Sequence, residues 1–154
     1  MRALVACAGL VLVGLALHRA TAGKFKPWEE TGLLMALSLG WGVSVNEFAL
    51  KPLFGRPGPG TLLATGRTAF HWLHGTPIDS FPSGHAVQIA SVMTVLCIVY
   101  PRWRSLWYTL IAALSLALIL GNWHFVSDVI AGNFVGAFGG AMIVNFWQNR
   151  QTQK

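Results

Sequence analysis

Long apolar stretches alternate with short polar segments along the chain. A membrane-spanning helix needs roughly 20 mostly apolar residues, and five stretches come close to this length or reach it. They cover residues 3–22, 31–50, 84–100, 106–121 and 129–147. The pattern predicts an all-α, polytopic membrane helix bundle with about five transmembrane helices, which forms a single domain over residues 1–154.

The first stretch has two interpretations. Arg2 precedes its apolar core and the sequence Ala20-Thr21-Ala22 ends it, a combination that is typical of a cleaved signal peptide. We expect residues 1–22 to be retained as a helix, with a cleaved leader as the alternative.

Composition agrees with a membrane protein. Hydrophobic residues make up 54% of the chain and charged residues 10%, against about 25% charged residues in an ordinary soluble domain. The mean hydropathy is +0.55. These values exclude a disordered chain, a small disulfide scaffold and a charged nucleic-acid-binding face, so no nucleic-acid partner is expected despite the net charge of +6.

The distribution of Lys and Arg predicts an orientation. With five helices, residues 51–83 and 121–128 emerge on the same face of the membrane. The opposite face carries the larger number of basic residues, namely Arg19, Lys24, Lys26, Arg102, Arg104, Arg150 and Lys154. By the positive-inside rule that face is cytoplasmic. We therefore expect a bacterial-type inner-membrane protein whose long polar segment faces the periplasm or the cell exterior.

Three polar clusters fall on the expected outer face, in residues 51–59, 81–85 and 122–128. Ser83 and Gly84 stand at the start of a helix, where free N–H groups and the helix dipole favour an anion. Lys51 and Arg56 are cationic donors suited to phosphate oxygens. These residues indicate a phosphate-binding site.

The same clusters contain groups for phosphoryl transfer. His124 and Asp128 are four residues apart and share a face if a helix begins there. A carboxylate that binds one imidazole nitrogen leaves the other free to attack, and His85 can protonate a leaving oxygen. The combination indicates transfer through a phosphohistidine.

These clusters resemble the three signature motifs of the type 2 phosphatidic acid phosphatase superfamily. The resemblance covers the motif-bearing core, residues 51–132, in the right order, with Pro82-Ser83-Gly84-His85 as the second motif and His124-x3-Asp128 as the third. It implies a lipid phosphatase that needs no metal and no cofactor. His124 would be the nucleophile, Asp128 its orienting carboxylate and His85 the general acid, with the phosphate held by Lys51, Ser83 and the Gly84 amide.

The resemblance includes two departures. The family's first motif has an arginine at the position of Gly58, and its third motif has one at the position of Leu118. We expect Arg56 to replace the first of these arginines, with Arg67 as a further candidate. The substrate is expected to be a lipid phosphate in the bilayer, and undecaprenyl pyrophosphate, phosphatidylglycerol phosphate and lipid A 1-phosphate are all open. Two alternatives are a phosphotransferase with the same intermediate and a non-catalytic lipid-phosphate-binding protein.

Other residues have simpler structural interpretations. Glu47 lies one turn before Lys51 and is expected to form an ion pair with it. His71 and His74 have the spacing of metal ligands, but no third and fourth ligand accompanies them, so no metal site is predicted. The small residues of the last helix are expected to form a close packing surface, and they are Gly132, Gly136, Gly139 and Gly140. The sequence does not indicate an oligomeric state.

Overall fold

The structure is a computed structural model that describes residues 26–66 and 69–153. The predicted helix over residues 3–22 and the candidate Arg67 lie outside these described residues. Helices account for every regular element in the described ranges, without a strand. In chain order they are α1 (Pro27–Val45), a π-helical turn (Asn46–Leu50), α2 (Lys51–Phe54), α3 (Pro59–Thr65), α4 (Gly84–Val99), a 3₁₀ turn (Pro101–Trp103), α5 (Arg104–Leu120) and α6 (Val126–Thr152).

The described helices form a membrane helix bundle. Three helical runs are long and apolar enough to cross a bilayer: Pro27–Thr65, Pro101–Leu120 and Val126–Thr152. The apolar helix α4 is shorter, with 16 residues. The four predicted stretches within the described ranges are therefore helical, and their boundaries shift by a few residues. Helix α6, for example, begins at Val126 instead of residue 129, because Asp128 caps its first turn.

Helix α4 lies at the centre of the bundle and packs against α6 and α1. Its residues Val87, Ala90 and Val95 are fully buried. A Cβ atom added at Gly132 of α6 would lie 2.6 Å from the Ser83 carbonyl oxygen. Gly132, Gly136 and Gly140 of α6 lie against the start and backbone of α4, whereas Gly139 faces the Trp41 ring of α1, and the prediction of a close glycine packing surface is confirmed.

Further side-chain contacts join α1 to the end of α4 and to α6. Thr31 Oγ1 lies 3.2 Å from the Tyr100 hydroxyl oxygen, and the Trp147 indole N–H donates to the Glu30 carboxylate. Both contacts lie at the end of the bundle where α1 begins. Helix α5 packs more loosely, and many of its large apolar side chains face outward, as expected for a surface in contact with lipid.

The opposite end of the bundle, where α1 ends and α4 and α6 begin, is here called the site end. Helix α1 continues through the π-helical turn into α2, which stops at Gly55 in a left-handed conformation with φ +52°. The chain then returns over α2, and the N–H groups of Leu73 and Gly75 donate to the carbonyl oxygens of Leu53 and Pro52 at 2.9 and 3.1 Å. The long polar segment is therefore tied down by hydrogen bonds to a helix end.

We expect Gly136→Ala to destabilise the protein. A Cβ atom at this position would collide with the Val87 carbonyl oxygen of α4, and overpacking of this kind typically costs about 1–3 kcal/mol. Thermal unfolding in detergent should show a lower Tm for this variant. Gly32→Ala is the matched control, because a Cβ there meets nothing within 4 Å. An unchanged Tm for Gly136→Ala would contradict the close backbone contact.

Candidate active site

A cleft of about 510 Å³ opens at the site end, and all three polar clusters contribute to it. Of the predicted residues, Lys51, Gly84, His85 and His124 line its wall. Residues 51, 84–85 and 124 come from three separate segments of the chain, so the expectation that these segments share one face is confirmed. The volume lies within the range of small-molecule sites.

Lys51 is held at the wall of the cleft by two acceptors. Its ammonium Nζ donates to the Pro77 carbonyl oxygen at 2.6 Å and lies 3.1 Å from a Glu47 carboxylate oxygen. The predicted Glu47–Lys51 pair is therefore confirmed. An ammonium group has three N–H donors, so two acceptors leave one for a ligand in the cleft.

The N-terminus of α4 faces the same cleft. Ser83 is its N-cap, and the Ser83 hydroxyl oxygen accepts from the Ala86 N–H at 3.4 Å. Ser83 is fully buried and does not line the cleft, whereas Gly84 does. The first N–H groups of a helix have no intrahelical partner, and Gly84 has no side chain to keep an anion away from them.

A short hydrogen-bonded chain holds the His124 ring. The Ser80 hydroxyl oxygen lies 2.8 Å from His124 Nδ1 and donates to the Asp128 carboxylate oxygen Oδ2 at 2.6 Å. Its single proton points to the carboxylate, so Ser80 accepts the proton of His124 Nδ1–H. The direct distance between Nδ1 and Oδ2 is longer, 3.6 Å. Ser80 therefore selects the tautomer in which His124 Nε2 carries a free lone pair.

Asp128 is the buried centre of this arrangement. Its side chain is completely inaccessible. Besides the Ser80 hydroxyl, it accepts from the Phe125 N–H at 2.9 Å, and it forms an ion pair with the guanidinium of Arg56. The Ser83 N–H donates to the Asp128 carbonyl oxygen at 3.0 Å. The carboxylate is thus neutralised and fixed behind the histidine that lines the cleft.

Arg56 lies behind the cleft in an aromatic enclosure. Its guanidinium carbon is 5.1, 5.2 and 4.7 Å from the ring centroids of Phe70, Phe81 and Phe125. Its Nη2 atom binds the Asp128 carboxylate and also the Ser127 hydroxyl. Arg56 is not one of the residues that line the cleft. Its expected contact with phosphate stays a prediction.

The electrostatic surroundings of His124 favour the neutral ring. Burial, followed by the nearby His85 and Lys51, lowers the pKa of His124 from its ordinary value to about 4. A hydrogen bond with the Ser80 backbone raises the pKa of His124 and is outweighed. His124 therefore keeps its lone pair throughout the neutral and mildly acidic range.

The two histidines face each other across the cleft. The ring centroids of His85 and His124 are 6.4 Å apart, and the Trp123 ring lies 6.2 Å from His85. This separation accommodates a tetrahedral group between a nucleophilic nitrogen and a proton donor. His124 is placed there by the end of α5, because the N–H groups of Trp123 and His124 both donate to the Leu118 carbonyl oxygen, at 3.1 and 3.3 Å.

Comparisons with known proteins test the family resemblance of the three motifs. The sequence profile described as the PAP2 superfamily matches residues 31–152. The chain belongs to this superfamily. The resemblance predicted from the motifs is thereby confirmed.

Two curated relatives of the chain have names that state an activity. The chain is 30% identical over 90 residues to a lipid A 1-phosphatase of Rhizobium johnstonii, a match that covers 58% of this chain and 37% of the relative. It is 32% identical over 92 residues to a lipid A 1-phosphatase of Rhizobium etli, covering 59% and 38%. The aligned part thus spans less than two fifths of these relatives. No solved structure matches the chain.

Two positions distinguish this PAP2 chain from the motif pattern. Gly58 lines the cleft, and a Cβ atom added there would meet its nearest neighbour, Ser80 Cβ, at 3.4 Å, an ordinary contact. Leu118 is buried against Ala86 and Val129 instead of facing the cleft. Among the described residues that line the cleft, Lys51 is the sole lysine or arginine.

Sequence reasoning identified the histidines and Asp128 but missed Ser80. No spacing rule marks a serine 44 positions before the histidine that it binds, because the contact depends on how the polar segment folds.

The described residues contain no group of three or more His, Cys, Asp or Glu side chains arranged to hold a metal ion.

We expect Ser80→Ala to reduce kcat/KM by about tenfold or more, because the Nδ1–H tautomer of His124 loses its acceptor. Phosphate release from a lipid phosphate measures the rate, and ¹⁵N NMR of the histidine ring measures the tautomer. Ser127→Ala is the control, since Ser127 binds Arg56 and not His124. A Ser80→Ala variant with unchanged rate and tautomer would contradict the bridging role.

Proposed function

We propose that the chain is a metal-independent lipid phosphatase of the membrane that acts through a phosphohistidine. The observation that carries the proposal is the His124 ring, which Ser80 holds at Nδ1 and which lies 6.4 Å from the His85 ring in a cleft also lined by Gly84 and the buried Lys51. The names of the relatives, lipid A 1-phosphatases, support a phosphate on a lipid as the substrate.

In the first step the phosphate lies between the two histidines. Its oxygens accept hydrogen bonds from the Gly84 amide and from the remaining N–H of Lys51 Nζ, with Ser83 holding the helix start in place. His124 Nε2 attacks phosphorus, a P–N bond forms, and the bond between phosphorus and the lipid oxygen breaks. His85 supplies the proton that the leaving oxygen takes up.

Hydrolysis of the intermediate reverses these roles. His85, now neutral, takes a proton from water, whose oxygen attacks phosphorus while the P–N bond to His124 breaks. In both steps Asp128 and Ser80 keep the Nδ1 proton in place. The Asp128 carboxylate, which Arg56 holds in place, lies beside the positive charge that forms on His124.

The active site is proposed to face the periplasm or the cell exterior of a bacterial-type inner membrane. The basis is the excess of lysine and arginine on the opposite face. Among the candidate substrates, undecaprenyl pyrophosphate, phosphatidylglycerol phosphate and lipid A 1-phosphate, the name of the relatives favours the last.

Two alternatives differ in the fate of the phosphate. Transfer from His124 to a lipid or sugar hydroxyl would make the protein a phosphotransferase, and phosphorylated product would replace free phosphate. The small number of cationic groups in the cleft favours a second alternative, a lipid-phosphate binder without turnover. Free phosphate identifies a phosphatase, a phosphorylated acceptor without free phosphate identifies a phosphotransferase, and neither product identifies a binder.

We expect the purified protein to release inorganic phosphate from lipid A 1-phosphate or another lipid phosphate in EDTA. His124→Ala and His85→Ala should each reduce the rate by about a hundredfold or more, because they remove the nucleophile and the acid. His71→Ala is the matched control, since His71 does not line the cleft. Binding without release, or near-native rates in either variant, would contradict the proposal.

We further expect Gly58→Arg to increase kcat/KM by about tenfold, because it adds a charged donor to a cleft with space for its Cβ. The control is Gly60→Arg, which also lines the cleft and meets nothing within 4 Å of a Cβ but lies outside the motif position. The measurement is steady-state phosphate release in detergent micelles. Equal effects of the two variants would mean that added charge acts without positional specificity.

A further inference from the structure

A tryptophan next to the two histidines is exposed in the cleft. Trp123 lines the cleft wall, and 66% of its surface is accessible. Its ring centroid lies 6.2 Å from that of His85, the residue that is proposed to protonate the leaving group. A leaving group held at His85 therefore lies beside the indole ring.

The local backbone places this indole ring. The Trp123 N–H donates to the Leu118 carbonyl oxygen of α5 at 3.1 Å. Asn122, the preceding residue, has a left-handed conformation with φ +58°, which asparagine adopts more readily than most residues with a Cβ atom. A Cβ atom added at Gly121 would lie 3.4 Å from Trp123 Cδ1, so the indole packs directly over the end of α5. A ring that is already positioned loses little conformational entropy when a ligand covers it.

Two polar side chains accompany Trp123 in the cleft wall, the amide of Asn122 and the carboxylate of Asp79. Asp79 Oδ2 accepts from the N–H and hydroxyl groups of Thr76. An ionised carboxylate accepts hydrogen bonds and repels a phosphate, so Asp79 suits the hydroxyl or amino groups of a ligand instead. The Asn122 amide has both donor and acceptor atoms and suits hydroxyl groups as well.

A flat aromatic ring with amide and carboxylate groups nearby fits the chemistry of a sugar. The C–H groups on one side of a sugar ring stack on an aromatic face, and its hydroxyl groups bind the polar side chains that fix its orientation. In a glycosyl phosphate the phosphoester oxygen is bonded to the sugar ring itself. Protonation of that oxygen by His85 therefore brings the sugar ring next to Trp123.

We infer that Trp123 is the platform for a sugar ring in the leaving group, so that the site favours glycosyl phosphates over phosphates on acyclic alcohols such as glycerol and polyprenols. This inference rests on the proposed function. Of the three candidate substrates, lipid A 1-phosphate is the one whose phosphate is attached to a sugar. A tryptophan at a bundle end also suits an anchor at the membrane interface, but an anchor acts on every lipid substrate alike.

Two lipids in mixed micelles of the same detergent distinguish a sugar platform from an anchor. They are a diacylated glucosamine 1-phosphate and a diacylglycerol phosphate with the same acyl chains. In Trp123→Leu we expect kcat/KM to fall about tenfold for the sugar phosphate and to change less than about twofold for the glycerol phosphate. Trp123→Phe should retain most of the activity on the sugar phosphate, because it keeps an aromatic face. Trp28→Leu is the control and should change neither rate, since Trp28 is 65% exposed and does not line the cleft.

An equal loss for both lipids in Trp123→Leu identifies an interfacial anchor, and unchanged rates for both identify a surface residue without a role in binding. Either result overturns the inference and leaves the proposed function intact. If neither lipid is hydrolysed, the proposed function fails, and equilibrium binding of the same two lipids decides the inference. Weaker binding of the sugar phosphate alone in Trp123→Leu supports the inference, and equal affinities of Trp123→Leu and the unaltered protein overturn it.

Discussion

The site end of this protein depends on the neutralisation of one buried carboxylate, that of Asp128. A carboxylate without access to water is costly unless it is paired and hydrogen-bonded. Arg56, the Ser80 hydroxyl and the Phe125 N–H meet this requirement together, and each comes from a different segment. Together with the Ser83 N–H, which donates to the Asp128 carbonyl oxygen, these contacts join the three polar clusters, so the residue that must be neutralised also assembles the cleft.

Much of the architecture was predictable from local patterns. Apolar runs of helical length are a property of consecutive residues, and they identified the four long helices of the described ranges to within a few positions, but not the short helices α2 and α3. The Glu47–Lys51 pair and the glycine surface also follow from spacing along a single helix. The partner of Lys51 lies four residues earlier in the sequence. The glycines need no particular partner, because any neighbouring helix backbone can pack against them.

The features that were not predicted depend on contacts between distant segments. The role of Ser80 exists only because the polar segment folds back over α2 and brings the serine between His124 and Asp128. The position of Arg56 behind the cleft arises in the same way, from aromatic rings at three distant positions in the chain. Neither follows from residue spacing, and both alter how the charge of the site is distributed.

The glycine surface between α4 and α6 has a mechanical consequence for the two histidines. His85 lies in the first turn of α4, and His124 lies two residues before the start of α6. No side chain separates these helix backbones where Gly132, Gly136 and Gly140 approach α4, so there is no rotamer whose change would let them slide or tilt against each other. The spacing between the two histidine rings is therefore set by the contact of α4 with α6 and does not depend on how α1 and α5 pack.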